Sequence, residues 1–268
     1  MAASTCCPSS TTRRARGVIA ASTGNHGQSV AFAARLFGVR AIICAPEQAN
    51  PVKVEAMRDL GAEVLLVGRD FDEARVHCEA LAKEHGYRYI HSGNEPDLIA
   101  GVATHTLELF EDLPDVDVIL VPIGGGSGAA GACLVAKAVR PTVEVIGVQS
   151  AQAPTAHDSW QAGHPVERPN TTIAEGLATR SAFELPQRIL RELLDDFILV
   201  SDEELLAANR ALIEKTRTLV EPAGAASLAG ALAPAVQPRL AGRRVALLCT
   251  GANISPAQLL HVMSRTAN

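Results

Sequence analysis

The chain has 268 residues, with 24 lysine and arginine against 29 aspartate and glutamate, and it is 47% hydrophobic, 20% charged and 3% aromatic. The length suits two ordinary domains or one large one. The composition excludes disorder over most of the chain, and the net charge of −5 excludes a basic field for nucleic acid. So few aromatic residues argue against a stacking platform for bases or sugars.

Met1 to Arg16 is rich in Ser, Thr and Arg and lacks apolar periodicity, so residues 1–16 read as a disordered or unrelated tail. The chain then alternates strand and helix. Val18 to Ala21 is a short apolar strand that runs through Ser22–Gln28 into a helix ending near Phe37. Arg40 to Ala45 is strand-like, Asn50-Pro51 opens a helix closed by Gly61, and Glu63 to Val67 is a strand. Asp70 or Asp72 caps a helix reaching His85, Tyr87 to His91 is a strand, and a helix follows Pro96. Val116 to Ile123 is a buried strand that opens through a glycine run into a helix reaching Val139. Strands at Val143–Gln149, Phe197–Val200 and Arg243–Cys249 follow, with helices over Phe183–Leu194 and after Ser201, Pro222 and Ser255. Ser201 with Glu204 forms a capping box.

This alternation predicts parallel sheets with helices on both faces. Val118 to Ala136 carries no formal charge, but Pro122 and the glycine run divide it into strand and helix, so no membrane span is expected. The six cysteines form no Cys-x-x-Cys pair and read as reduced thiols.

In such sheets ligands bind at the carboxyl ends of strands, which directs attention to three strand-to-helix turns. Gly124, Gly125, Gly126, Ser127 and Gly128 let the backbone curl and aim several N–H groups at one anion, making a phosphate cup. Ser22, Thr23, Asn25 and His26 bring hydroxyls, an amide and a helix start together, which suits a carboxylate. Thr250 ends a strand, where its hydroxyl either meets a ring nitrogen or caps the turn. Gly126-x-Gly128-x-x-Gly131 also fits a dinucleotide-binding pattern, but the following strand ends in Gln149 where an acidic residue belongs.

Taken in order, STGNHGQ (22–28), NPVKVEAMRDLGAEV (50–64), PIGGGSGAAG (122–131), AEGLATR (174–180), VEPAGAAS (220–227) and CTGAN (249–253) resemble the threonine/serine dehydratase family. These are pyridoxal-phosphate enzymes of the tryptophan-synthase-β-like fold, fold type II. The resemblance covers about residues 17–265. It implies an α/β protein of two three-layer α/β/α domains with mostly parallel sheets: a small domain over 17–95 with the carboxylate loop, and a large one over 96–268 with the cup. It also implies pyridoxal 5′-phosphate as cofactor and L-threonine or L-serine as the class of substrate. The reaction would be β-elimination to a 2-oxo acid and ammonia. The setting would be a cytoplasmic homo-oligomer without nucleic-acid or membrane partners.

Residue by residue, Ser22, Thr23, Asn25 and His26 match the substrate-carboxylate loop, and Asn25 also matches the residue bonding the cofactor's ring hydroxyl. Gly124, Gly125, Gly126, Ser127 and Gly128 match the phosphate cup, with Ser127 where many members have a further glycine. Gly176 matches the segment beside the ring, Thr250 the hydroxyl facing the pyridine nitrogen, and Glu221 a motif of structural role.

Three departures stand against the resemblance. The family's Schiff-base lysine lies in a Ser-x-Lys-x-Arg-Gly type motif well before the Gly-Asn-His run. Here the lysines are Lys53, Lys83, Lys137 and Lys215, all in predicted helices. No catalytic lysine is therefore assigned, and the expectation is a chain truncated at its amino end, with a non-catalytic remnant that binds cofactor or amino acid as the alternative. Gln149 and Thr155 stand where racemase-like relatives carry metal-binding carboxylates, so no divalent metal site is expected. Thr23 replaces the serine that racemases use opposite the cofactor, which weighs against a serine-racemase-like isomerase. A nicotinamide-dependent oxidoreductase is the remaining, weaker alternative.

Overall fold

The structure, a computed structural model, describes residues 16–264. The tail reading of residues 1–16 thus falls outside the described residues except at Arg16. The chain divides into two compact units, Met1–Val102 and Ala103–Asn268.

In the first unit the elements run β1 (Val18–Ala21), α1 (Asn25–Leu36), β2 (Ala41–Ala45), α2 (Pro51–Asp59), β3 (Glu63–Leu66), α3 (Phe71–His85) and β4 (Arg88–Tyr89). Helix α4 (Pro96–Asp112) runs across the division between the units. The strands pair in parallel in the order β3-β2-β1-β4. Period-two alternation fills both faces. Val18, Ala20, Ile43 and Ala45 pack with Val30, Ala33, Val54 and Met57 of α1 and α2, while Ile19, Ala21, Ile42 and Cys44 pack with Cys78 of α3. Asn50 caps α2 by accepting from Val52 N–H at 3.1 Å, and Asp70 caps α3 by accepting from Glu73 N–H at 3.0 Å.

The second unit contains β5 (Val118–Pro122), α5 (Ser127–Val139), β6 (Glu144–Ser150), α6 (Thr155–Ala162), α7 (Glu184–Leu193), β7 (Asp196–Val200) and α8 (Asp202–Ala211). After these come α9 (Ala226–Leu232), α10 (Gln237–Leu240), β8 (Val245–Leu247) and α11 (Pro256–Ser264). Its sheet is again parallel, in the order β7-β6-β5-β8. Val118, Leu120, Ile146 and Val148 face α8 and α9, and Ile119, Val121 and Val145 face α5 and α7. The expected capping box is present at Ser201 and Glu204.

Three elements differ from the sequence reading. Strand β4 is two residues long rather than Tyr87–His91, because after Ile90 bonds Ile19 O the His91 ring accepts Gly93 and Asn94 N–H and turns the chain. Strand β8 stops at Leu247, short of Cys249. Helix α6 gave no apolar stripe in the sequence; it buries Thr155, Ala156 and Ser159.

Candidate active site

The two sheets share one topology. In each, the first strand has its second and third strands on one side and the fourth on the other, so the strand order reverses beside β1 and beside β5. The crevice at such a reversal, at the carboxyl ends of the strands, is the usual ligand position. The loops after β1, β5 and β8 are the three turns singled out in the sequence.

In the first unit, Ser22 is buried and its N–H donates to Cys44 O at 3.0 Å. Its Oγ accepts from Gly24 N–H at 3.0 Å and Gly27 N–H at 2.8 Å. With both lone pairs engaged, the hydroxyl proton is directed away from the loop's own amides. The first bond of α1 runs from Gln28 N–H to Gly24 O, so the amides of Asn25 and His26 precede the helical ladder. Thr23 is half-buried and Asn25 exposed. The His26 ring lies 3.1 Å from Ile90 O through Nε2. Burial holds its pKa below the usual histidine value, against the opposing effect of that bond, so the ring is neutral and donates its Nε2–H to the carbonyl. His91 at the end of β4 is pushed down to about 4 by burial, then by His26 and Arg75. The sequence reading placed His91 in a strand. The cue it passed over was a His-Ser-Gly-Asn run following a strand that borders β1.

In the second unit, the glycines of the cup are required for different reasons. A Cβ on Gly124 would stand 2.3 Å from Gly176 O, and one on Gly125 would stand 2.3 Å from Cε2 of Phe183. Gly126 has φ of 91°, which only glycine adopts readily. A Cβ on Gly128 would meet nothing within 4 Å, so that face is open. The first bond of α5 is Ala130 N–H to Gly126 O, which leaves the preceding amides outside the ladder at a helix N-terminus. Phe183 walls the cup through packing that carries no local sequence signal.

The remaining motifs of this unit are joined to the cup by close backbone approaches. A Cβ on Gly176 would lie 2.8 Å from Ala223 Cβ and 3.5 Å from Glu221 Oε1, and one on Gly224 would lie 2.7 Å from Gly251 O. Glu221 N–H donates to Gly251 O at 2.9 Å. Ser227 Oγ donates between Leu120 O at 2.9 Å and Leu248 O at 3.1 Å, pinning the ends of β5 and β8 together. Gly124, Gly125, Gly126, Ser127, Gly128, Gly176, Glu221 and the turn after Thr250 are thus one connected constellation, with Thr250 exposed.

A model of the pyridoxal-phosphate dependent enzyme family matches residues 2–251. The chain belongs to that family. It is 44% identical over 252 residues to an L-threonine ammonia-lyase of Geobacter sulfurreducens, covering 94% of this chain and 62% of the relative. It is 37% identical over 254 residues to the biosynthetic L-threonine dehydratase of Salmonella typhimurium, covering 94% of this chain and 49% of that protein. The chain therefore spans about half to three-fifths of the length of these relatives. Among solved structures, it resembles the processed form of threonine deaminase isoform 2 from Solanum lycopersicum, with a TM-score of 0.90, 32% identity, and coverage of 97% of this chain and 76% of that one. The two parallel α/β units are those of the tryptophan-synthase-β-like fold, fold type II.

The residues present fit the family's cofactor at its phosphate end. A cradle lacking Cβ atoms stands at a helix N-terminus, with an open face at Gly128. Neither lysine of the second unit joins that cradle. Lys137 Nζ is bonded to Val143 O at 2.7 Å and Asp195 Oδ2 at 2.6 Å, and Lys83 and Lys215 are exposed. Lys53 belongs to α2 in the first unit. At the end of β6 and the start of α6, Gln149 Oε1 accepts from His157 N–H at 2.9 Å, and Ser150 Oγ donates to Asp202 Oδ1 at 2.8 Å. Among the described residues no three His, Cys, Asp or Glu side chains form a metal-binding group, and no helix is long and apolar enough to cross a membrane.

Proposed function

We propose that this chain binds pyridoxal 5′-phosphate and a hydroxy amino acid of the L-threonine or L-serine class, and serves the β-elimination that yields a 2-oxo acid and ammonia. The carrying observation is the Gly124–Gly128 cup, whose first three glycines are demanded by Gly176, by Phe183 and by positive φ, while Gly128 faces open space. The relatives' names, L-threonine ammonia-lyase and L-threonine dehydratase, support the substrate class.

In this reading the amides opening α5, with the Ser127 hydroxyl, hold the phosphate. The Thr250 hydroxyl meets the ring nitrogen, and Gly176 gives the ring a flat approach free of side chain. When bound, the cofactor supplies an electron-withdrawing ring that stabilises negative charge at the amino acid's α-carbon. The outward-directed proton of Ser22, the Thr23 hydroxyl and the amides of Asn25 and His26 hold the substrate carboxylate, and the Asn25 side chain serves the cofactor's ring hydroxyl. His26 contributes through its backbone, since its ring N–H is engaged with Ile90 O. We place the protein in the cytoplasm as a homo-oligomer, with domains over 17–95 and 96–268 following a tail over 1–16.

Binding without turnover is the second reading, and the placement of the lysines favours it. Withdrawal of the α-proton needs a base near the cofactor, and Lys137 and Lys215, the lysines of the second unit, are committed to Asp195 or exposed. Titration of the purified chain with pyridoxal phosphate, followed by absorbance and by competition with inorganic phosphate, tests the shared part. Saturable binding displaced by phosphate is expected; its absence refutes both readings. Formation of 2-oxobutanoate from L-threonine by the loaded chain then separates the lyase from the binder.

A further inference from the structure

Gly24 stands just before α1 with φ of 168° and ψ of −84°. The space a side chain there would need is taken by Lys53. A Cβ on Gly24 would stand 2.6 Å from Lys53 Cδ, 3.3 Å from Cγ and 3.4 Å from Cβ, so the lysine's methylene stem lies flat against the Gly24 backbone. Lys53 is the third residue of α2, in register with the core residues Val54 and Met57, and is only 2% exposed. A lysine this buried is unusual. The other lysines are exposed or partly so. An aliphatic stem is well suited to cover backbone in this way.

We propose that Lys53 is a positioning residue for the carboxylate loop. Its stem is the floor on which Gly24 rests, and it holds the Gly24 amide against Ser22 Oγ so that the Ser22 proton and the amides opening α1 face one ligand oxygen pair. This rests on the reading of residues 22–28 as the carboxylate loop. The role assigned belongs to the stem.

The test compares full-length wild type with Lys53→Ala, Lys53→Met, Gly24→Ala and the double variant Gly24→Ala/Lys53→Ala, after thermal melts establish that each is folded. One readout needs no ligand: hydrogen exchange of the Gly24 and Gly27 amides. The other is the affinity for L-threonine relative to L-threoninamide, which lacks the carboxylate. Lys53→Ala is expected to speed exchange at Gly24 by about tenfold or more, with Gly27, which packs on Met57, changing less, and to lower the preference for the acid over the amide by about tenfold. Lys53→Met keeps a stem and should remain within about threefold of wild type on both readouts. Gly24→Ala should be impaired alone and partly rescued in the double variant, where the new methyl occupies the space of the lost stem. Additive effects, or a Lys53→Met variant as impaired as Lys53→Ala, would overturn the assignment even with wild type binding L-threonine normally. If wild type shows no preference for the acid while exchange at Gly24 still depends on Lys53, the stem supports the loop but the carboxylate reading falls, and the positioning role falls with it.

Discussion

The open face of Gly128 separates a ligand role from a packing role within one loop. Gly128 is the second residue of α5, and a Cβ there meets nothing within 4 Å. Gly128→Ala therefore has no steric cost in the protein, and removing a helical glycine is worth up to ~1 kcal/mol in stability. That corresponds to a rise of roughly 2–4 °C in melting temperature for a chain of this size. If the phosphate docks on the same face, the added methyl occupies its approach, and affinity for inorganic phosphate and pyridoxal phosphate should fall by about tenfold or more, ~1.4 kcal/mol. Gly124→Ala makes the internal comparison. Its Cβ would stand 2.3 Å from a backbone oxygen, Gly176 O, and 3.2 Å from Leu177 Cα. Neither atom is the end of a flexible side chain, so the two segments must separate, at a cost of about 1–3 kcal/mol. Gly124→Ala should lose both stability and affinity, Gly128→Ala affinity alone. Urea denaturation and calorimetric titration measure the two quantities. A Gly128→Ala protein that binds both ligands within about twofold of wild type would refute the docking of an anion on that face.

Three further outcomes are expected. Of the four described free cysteines, Cys249 is the exposed one, and it adjoins Thr250. Alkylation followed by peptide mass spectrometry should label Cys249 first, and pyridoxal phosphate should slow that labelling; unprotected labelling in a loaded protein would remove Thr250 from the site. His91 titrates at about 4 in the folded chain against an ordinary value of 6.5, so the unfolded chain binds the extra proton between those values. Its contribution to stability, at most ~3 kcal/mol before solvent screening, is therefore complete above pH 6.5 and lost as pH falls toward 4; chemical denaturation at several pH values should show this slope, and His91→Asn should flatten it. Asp202 accepts from Ser150 Oγ at 2.8 Å, Thr172 Oγ1 at 2.6 Å and Ile173 N–H at 2.8 Å. Asp202→Ala should cost about 2–4 kcal/mol by orphaning these donors, and it should speed amide exchange at Ile173 and beyond toward Gly176; a change below about 0.5 kcal/mol would show that water replaces the carboxylate.

The alternation of strand and helix was legible because its strands are apolar on both faces and its helices carry ordinary punctuation. Pro51 stands at the first position of α2, Asp70 caps α3, and Ser201 with Glu204 caps α8. Helix α6 was not legible, since its polar residues are held by partners outside the helix: Thr155 Oγ1 by Arg180 O, and Ser159 Oγ by Val166 N–H. The glycine run was visible as a candidate cup, but the identity of its walls was not. Phe183 and Gly176 lie more than forty residues further along the chain than Gly125 and Gly124, and no local pattern announces that they press on them. For Gly24 the sequence showed a glycine between Thr23 and Asn25, while its reason, the stem of Lys53, lies on the following helix.

The repeated sheet order supplies a physical reason for the proposal that these loops, rather than others, carry the chemistry. With order 3-2-1-4 in each unit, the connections from the first and fourth strands leave toward different neighbours, and the crevice opens between them. A tight turn at that point needs one glycine of positive φ, and Gly126 meets that need. The others answer to separate segments: Gly124 to Gly176, Gly176 to Ala223, Gly224 to Gly251, and Gly125 to Phe183. Each such approach ties two motifs so closely that neither moves without the other. The spacing of AEGLATR, VEPAGAAS and CTGAN along the chain is thus immaterial to the site. Their order of packing, from the cup through Gly176 and Glu221 to the turn after Thr250, is what would set the proposed hydroxyl and glycine surface relative to the proposed anion cradle. A methyl group added at any of the four approaches is accordingly expected to be felt at the cup.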